Sequence, residues 1–328
     1  MTDGVFSPKL RHDVSATGCG DGERDALTAA AALPGNAATT AEWRLSAYES
    51  SVTGGMTSVV ALSRTDAWAV GNTQHGQTPV NNPYVLHWTG AKWSAVTIPD
   101  SNGFTSAQVA ASSASNVWVL GTNFNGLLNQ KIFRYDGAHW HTMTVPAGGV
   151  DNLMVLSATD AWVTGQVSVV GMSDVDQKGE GVVAAYRWAG THWTPVIMSH
   201  PNMSGWPDIA MVSASNIWIE GFRGASSQVL ALHLTGGKWQ RVFSPAGDAA
   251  SPGAVPYGST GVWMGPWAAW TGRGWINTLP DLPFAGGVIE DVVPIPGASG
   301  SYWGAASVAT NANSSIDHPT MVIYGPVP

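Results

Sequence analysis

Short apolar stretches, separated by small and polar residues, run through most of this chain. In its first regular region they fall at 58–62, 67–71, 84–88 and 92–98, four segments of strand length divided by turn-forming residues. Runs rich in Ala, Glu, Lys, Leu and Arg, which build helical bundles, are scarce. The stretches follow a recurring order: Ser, two residues, Asp or Asn, one apolar residue, Trp, two residues, Gly. It occurs at Ser63, Asp66, Trp68 and Gly71, again at Ser113, Asn116, Trp118 and Gly121, and again at Ser157, Asp160, Trp162 and Gly165. A fourth copy is Ser213, Asn216, Trp218 and Gly221, and degenerate copies surround Trp263 and Trp303. The Asp or Asn suits a turn, because its side chain can bond nearby backbone.

A second element follows each of the first five copies. It places an apolar, aromatic or His/Arg pair before a tight glycine turn and returns on an aromatic residue, as in His87, Trp88, Gly90 and Trp93, or Arg134, Tyr135, Gly137 and Trp140. That is a hairpin signal. Each unit therefore offers four strands, and the Trp-to-Trp spacings of 50, 44, 56, 45 and 40 residues are those of propeller blades. The sixth unit stops after Met321–Tyr324, its third strand. The missing fourth strand, with its Trp, stands at the other end of the chain around Trp43. The pattern predicts an all-β, six-bladed propeller of four-stranded antiparallel blades over residues 41–328, closed by an N-terminal strand (41–47) that pairs into the last blade and removes an open edge.

Residues 1–40 read differently. They are polar and mixed in charge up to 25, with an apolar run at 26–33 ahead of small residues that resembles the end of a secretory signal. The run is short, and Glu23 and Asp25 sit just upstream, so a disordered or helical leader is the plainer expectation. A secreted or extracellular location follows from the first reading and a cytoplasmic one from the second.

Composition narrows the partners. Glycine (39), proline (20) and tryptophan (17) are plentiful while charged residues are only 11%, which suits many turns around a large core rather than a disordered chain. A net charge of −8 argues against a grip on nucleic-acid phosphate. No apolar stretch is long enough for a membrane-spanning helix. A single cysteine, Cys19, excludes an internal disulfide and a cysteine-based zinc site. The expected state is a monomer whose partner is a small molecule or a glycan.

The tryptophan repeat is similar to that of actinobacterial secreted propeller proteins, and the chain resembles the six-bladed propeller class at large. That class includes lectins, lactonases and strictosidine-synthase-like enzymes, so the resemblance implies a fold and not a function. Gly-His…Trp-Asp pairs of WD40 repeats do not recur. Sialidase-type Asp boxes place Gly before Trp, the reverse of the order here, so no catalytic residue carries over from them.

Fifteen of the 17 tryptophans occupy repeat positions and are expected to pack between blades; Trp206 and Trp267 fall outside the pattern and could stack on a ligand or pack locally. Sites on such a fold form at the mouth of the central channel, where loops lead into the inner strands. Aligning the units gives the first position of each inner strand as Ser58, Gln108, Asn152, Asp208, Gly253 and Asp291, with Asp151, Trp206 and Glu290 just upstream. All but Gly253 in that ring are polar within strands that otherwise read apolar. Such a ring could hold a channel-bound Ca2+ through oxygen ligands, bind polyols, or hold carboxylates close enough to split their pKa values. The plainer reading is a water-filled mouth that solvates them. No dedicated cofactor is called for.

The connection 198–208 adds His200 beside Trp206 and Asp208, a titratable imidazole near an aromatic face and a carboxylate. Loops on the same face offer His75, Asn81, Asn82, Arg223, Asn311, Asn313, Asp317 and His318. The stretch from Asp174 to Glu180 begins like a calcium loop but fails at Lys178 and Ala185. His87, His139, His141, His192 and His233 fall on strands or hairpin turns and read as structural. Two functions fit these residues. The first is binding of a small molecule or glycan at the mouth by Ser58, Gln108, Asp151, Asn152, Trp206, Trp267, Arg223, Glu290 and His75. The second is an enzyme of lyase, cyclase, isomerase or hydrolase type, with Asp208 or Asp291 as base, His200 as acid and Trp206 as a stacking wall.

Overall fold

The computed structural model describes residues 42–75, 78–123, 129–146, 150, 152–166, 183–198, 204–213, 215–222, 229–236, 238–243, 254–257, 261–264, 268–270, 275–277, 287–309 and 317–325. Every regular element among them is a strand. After β1 (Trp43–Tyr48), the first sheet holds β2 (Thr53–Ser63), β3 (Asp66–His75), β4 (Thr78–Trp88) and β5 (Trp93–Val96). The second holds β6 (Phe104–Ser113), β7 (Asn116–Asn123), β8 (Gln130–Tyr135) and β9 (Trp140–Thr144). The third holds β10 (Asn152–Ser157), β11 (Asp160–Gln166), β12 (Val183–Trp188) and β13 (Trp193–Met198). The fourth holds β14 (Ser204–Ser213), β15 (Asn216–Phe222), β16 (Val229–Thr235) and β17 (Lys238–Phe243). The fifth is short: β18 (Ala254–Tyr257), β19 (Gly261–Met264), β20 (Ala268–Trp270) and β21 (Trp275–Asn277).

The sixth sheet is built from both ends of the described chain. It contains β22 (Val288–Pro294), β23 (Tyr302–Ala309) and β24 (Asp317–Tyr324), and β1 adds antiparallel to β24 with Trp43 opposite Tyr324 and Tyr48 opposite Thr320. Each sheet is a four-stranded antiparallel meander. The inner strands neighbour one another in the order β2, β6, β10, β14, β18 and β22, and β22 returns to β2. No helix among the described residues is long and apolar enough to cross a membrane.

Strands run longer than the apolar stretches that announced them. β2 begins at Thr53 instead of 58, and β4 at Thr78 instead of 84, because ladder pairing continues through polar residues where hydrophobic alternation fades. The hairpin turns follow the glycine signal: Gly90, Gly137 and Gly190 have φ of 91°, 99° and 91°, a region that glycine enters at little cost. The repeat Ser and Asx divide their work differently from the expectation. The Ser hydroxyls close the turn, with Thr65 N–H donating to Ser63 Oγ (3.1 Å) and Thr159 N–H to Ser157 Oγ (3.2 Å). The Asx side chain reaches across the sheet instead. Asp160 accepts from Nε and Nη2 of Arg187, each at 2.9 Å, and Asn116 Oδ1 accepts from Arg134 Nε at 3.1 Å.

Tryptophan packing joins the sheets. Trp118, fully buried, meets Trp188 and Trp193 of the third sheet at ring separations of 6.1 and 6.3 Å. Trp68 meets Tyr135 and Trp140 of the second, and Trp303 meets Trp88 and Trp93 of the first. The second-strand tryptophan of one sheet thus packs against the third- and fourth-strand aromatics of the next. Each indole removes on the order of 200 Å² from water.

Candidate functional site

Three inner strands, β2, β6 and β22, share a local irregularity at the positions singled out by the alignment. Register shifts by one residue between Met56 and Ser58, between Ser106 and Gln108, and between Ile289 and Asp291. Thr57, Ala107 and Glu290 are therefore bulged residues, and each is followed by a member of the polar ring. The repeat glycine stands opposite: a Cβ on Gly71 would lie 2.2 Å from Gly55 O and 2.7 Å from Met56 Cα. The close approach of two backbones explains the residue.

The bulge turns the ring side chains toward the neighbouring sheet, where they form a hydrogen-bonded belt. Asp291 Oδ2 accepts from Val59 N–H and from Ser58 Oγ, both at 3.0 Å. Ser58 Oγ in turn accepts from Val109 N–H at 3.3 Å. Gln108 Oε1 accepts from Leu153 N–H, and Gln108 Nε2 donates to Asn152 Oδ1 at 3.1 Å. One rule covers the sixth, first and second sheets: the ring side chain takes the N–H just after the ring position of the next sheet. Those N–H groups lie on the innermost strand of their sheets, and a buried donor left unpaired costs about 1–3 kcal/mol.

Where the preceding ring position is Gly253, no side chain exists to do this, and Val292 N–H bonds instead to the Asp291 carboxyl itself. Asp291 thus serves two sheets. Burial pushes its pKa up to about 6, the like charge of Glu290 adds slightly, and the hydrogen bonds from Val59, Ser58 and Val292 oppose the rise. Ser58 and Asn152 are 3% and 2% exposed, while Gln108 and Glu290 are part-exposed. A hard cation at this ring would compete with backbone N–H groups for the Ser58 and Gln108 oxygens. Among the described residues, no three or more His, Cys, Asp or Glu are grouped to hold a metal.

The structure brings Ser58, Gln108, Asn152 and Asp291 together in the belt. Trp206 and Asp208 lie in β14, whose register breaks between Ser204 and Asp208, and Asp208 stands opposite Glu220. His75 ends β3 opposite Thr78. Asp151, His200, Arg223 and Trp267 lie outside the described residues, as do residues 1–40 and the 174–180 loop.

Two of the histidines read as structural are sheet components. His87 and His233 stack on Trp68 and Trp218 at 4.0 and 3.9 Å, with Nε2 directed at Asp66 and Asn216. Burial lowers the pKa of His233.

Sequence reasoning named His318 but passed over the Tyr48, Glu49 and Ser51 that surround it. The β1–β2 connection carries Glu49 and follows Tyr48, whose ring meets buried His318 at 5.5 Å. His318 Nδ1 donates to Val52 O at 2.8 Å. Glu49 Oε1 accepts from Ser51 N–H and Ser51 Oγ, which hold its carboxyl below the ordinary range. Tyr84 is pushed up by burial first and then by the charge of Glu49. The available signal was position alone, since this connection leads into an inner strand exactly as the 198–208 connection does.

No protein-family model and no curated protein matches the chain. Solved structures do. A protein of unknown function from Dyadobacter fermentans aligns over 86% of this chain and 98% of its own, at a TM-score of 0.60 and 9% identity. The six-bladed fungal lectin of Aleuria aurantia, described by its fucose recognition, aligns over 84% and 96% at 0.52 and 16%. A putative gluconolactonase aligns over 89% and 95% at 0.51 and 11%. Identities this low speak to fold alone. With the six four-stranded sheets described above, they make this chain a six-bladed β-propeller.

Proposed function

We propose that the protein binds a polar small molecule or a glycan at the channel mouth, where the loops lead into the inner strands, and does so by contact without chemistry. The contacts come from Trp206 and Asp208 at the irregular start of β14, with Gln108 and Glu290, both part-exposed, on other inner strands. The observation that carries the choice between binding and catalysis is the commitment of Asp291. Its carboxyl holds the N–H groups of two inner strands and the Ser58 hydroxyl, so removing a substrate proton with it would disturb the seam between sheets. Fold neighbours include a fucose-recognising lectin as well as a putative gluconolactonase, and both kinds of activity suit the scaffold.

A glycan array and a metabolite thermal-shift screen test the reading, repeated with Asp208→Ala and Trp206→Ala. A ligand whose shift is lost in either variant supports it. Unchanged shifts in both variants overturn the site.

A further inference from the structure

We infer that Gln166 is a positioning residue for Trp206: its side-chain amide holds the Trp206 backbone and so presents the indole at the channel mouth. The inference rests on the reading that Trp206 meets the ligand there. Two amide clamps between the first three blades lead to it.

Asn72 Nδ2 donates to Ser106 O at 3.1 Å, and Ser106 N–H donates back to Asn72 Oδ1 at 2.7 Å. Gln130 Nε2 donates to Val150 O at 2.6 Å, and Val150 N–H donates back to Gln130 Oε1 at 2.7 Å. In each case the amide of one blade satisfies both backbone groups of one residue in the next. Ser106 and Val150 stand two residues before the ring positions Gln108 and Asn152. The chain is thus gripped where it enters an inner strand.

The two amides belong to the same cross-strand pair of their blades. Asn72 follows the repeat Gly71 and stands opposite Pro83. Gln130 stands opposite Thr122, which follows the repeat Gly121. In the third blade the corresponding pair is Gln166, after the repeat Gly165, with Val183. Each of these three pairs carries one amide side chain. The fourth blade has Phe222 opposite Val229, with no amide, and the ring position that follows is Gly253, the ring's one member without a side chain.

Two residues back from the fourth ring position, Asp208, stands Trp206. β11 packs against β14 as β3 packs against β6, so the strands of Gln166 and Trp206 meet as those of Asn72 and Ser106 do. The Trp206 backbone also needs a partner. Residues 205–207 of β14 span the single position of β15 between Phe222 and Glu220, which stand opposite Ser204 and Asp208. An irregularity of this kind takes backbone groups out of the ladder, and such groups find partners elsewhere when buried. Gly205 leaves the approach to Trp206 free to rotate, so its fixing falls to the neighbouring blade. A backbone held before binding removes an ordering cost that the ligand would otherwise meet.

The test is hydrogen exchange by NMR in the wild-type chain, Gln166→Met and Gln166→Glu. Met keeps the length and removes the amide, while Glu keeps an acceptor for the Trp206 N–H. Exchange at the Trp206 amide is expected to quicken about tenfold in Gln166→Met relative to Ile219 in β15, the effect of one lost hydrogen bond. Gln166→Glu is expected to stay near wild type at that amide. The Trp206 indole N–H resonance, assigned through Trp206→Phe, is expected to move in Gln166→Met. Unchanged exchange at Trp206 in Gln166→Met, quickening shared equally with Ile219, or exchange in Gln166→Glu as fast as in Gln166→Met overturns the clamp.

If Gln166→Met fails to fold, the wild type is read instead. Nuclear Overhauser contacts between the Gln166 side-chain NH2 and the Trp206 amide support the clamp, and their absence overturns it. No ligand enters these measurements. Unchanged ligand shifts in Trp206→Ala therefore overturn the site and leave the clamp standing, whereas unchanged exchange in Gln166→Met overturns the clamp and leaves the site standing.

Discussion

At the scale of single residues, tryptophan and its Asx partner account for much of the cohesion. Trp118 is wholly buried between two sheets, and its indole N–H donates to Asn116 Oδ1 at 2.9 Å. Trp118→Ala is expected to cost about 3–5 kcal/mol by urea unfolding, the usual loss for a large buried aromatic. Arg187→Ala should cost under about 1 kcal/mol, because the Arg187 side chain is 47% exposed and solvent screens its ion pair with Asp160. Tryptophan roles were legible in the sequence because a residue recurring at fixed spacing in four clear copies must serve the repeat rather than one ligand. The role of the Asx was misread as a turn bond. Its Arg or His partner stands 17 to 27 residues away, and only the sheet brings the two together.

At the scale of elements, two features decide the account: the bulge in three of the inner strands, β2, β6 and β22, and the transfer of β1 to the last sheet. The second was legible, since the sixth unit lacked a strand that the N-terminal segment could supply, and β1 does pair with β24. The bulges were not. A bulge is a property of pairing between strands, and its sequence trace, a polar residue after an apolar one, looks the same as a solvent-facing position. The ring was therefore read as a channel mouth, and its side chains in three blades prove to be engaged with neighbouring backbone. Gly71→Ala should cost at least about 2 kcal/mol, since a Cβ 2.2 Å from Gly55 O forces the backbones apart; thermal unfolding reads it directly. Removing residues 1–48 exposes the edge of β24, and light scattering should then show self-association that the full chain lacks.

At the scale of the whole molecule, the chain is a six-bladed propeller whose blades are joined by indole packing outside and by a hydrogen-bonded belt inside. The belt gives the inner ring a scaffold role. Gln108→Ala should cost about 1–3 kcal/mol in stability, by stranding Leu153 N–H, whether or not a ligand is present. Substrate class was not legible because ligand contacts on this fold come from connections outside the repeat, where no periodicity constrains residue choice.

The central claim is recognition without turnover, and the most direct measurement is the fate of the ligand. A hit from the thermal-shift screen, incubated with a stoichiometric amount of protein and recovered for mass spectrometry and NMR, should return chemically unchanged. Recovery of a converted product, lost on Asp208→Ala, would contradict the claim and place acid–base chemistry at the mouth.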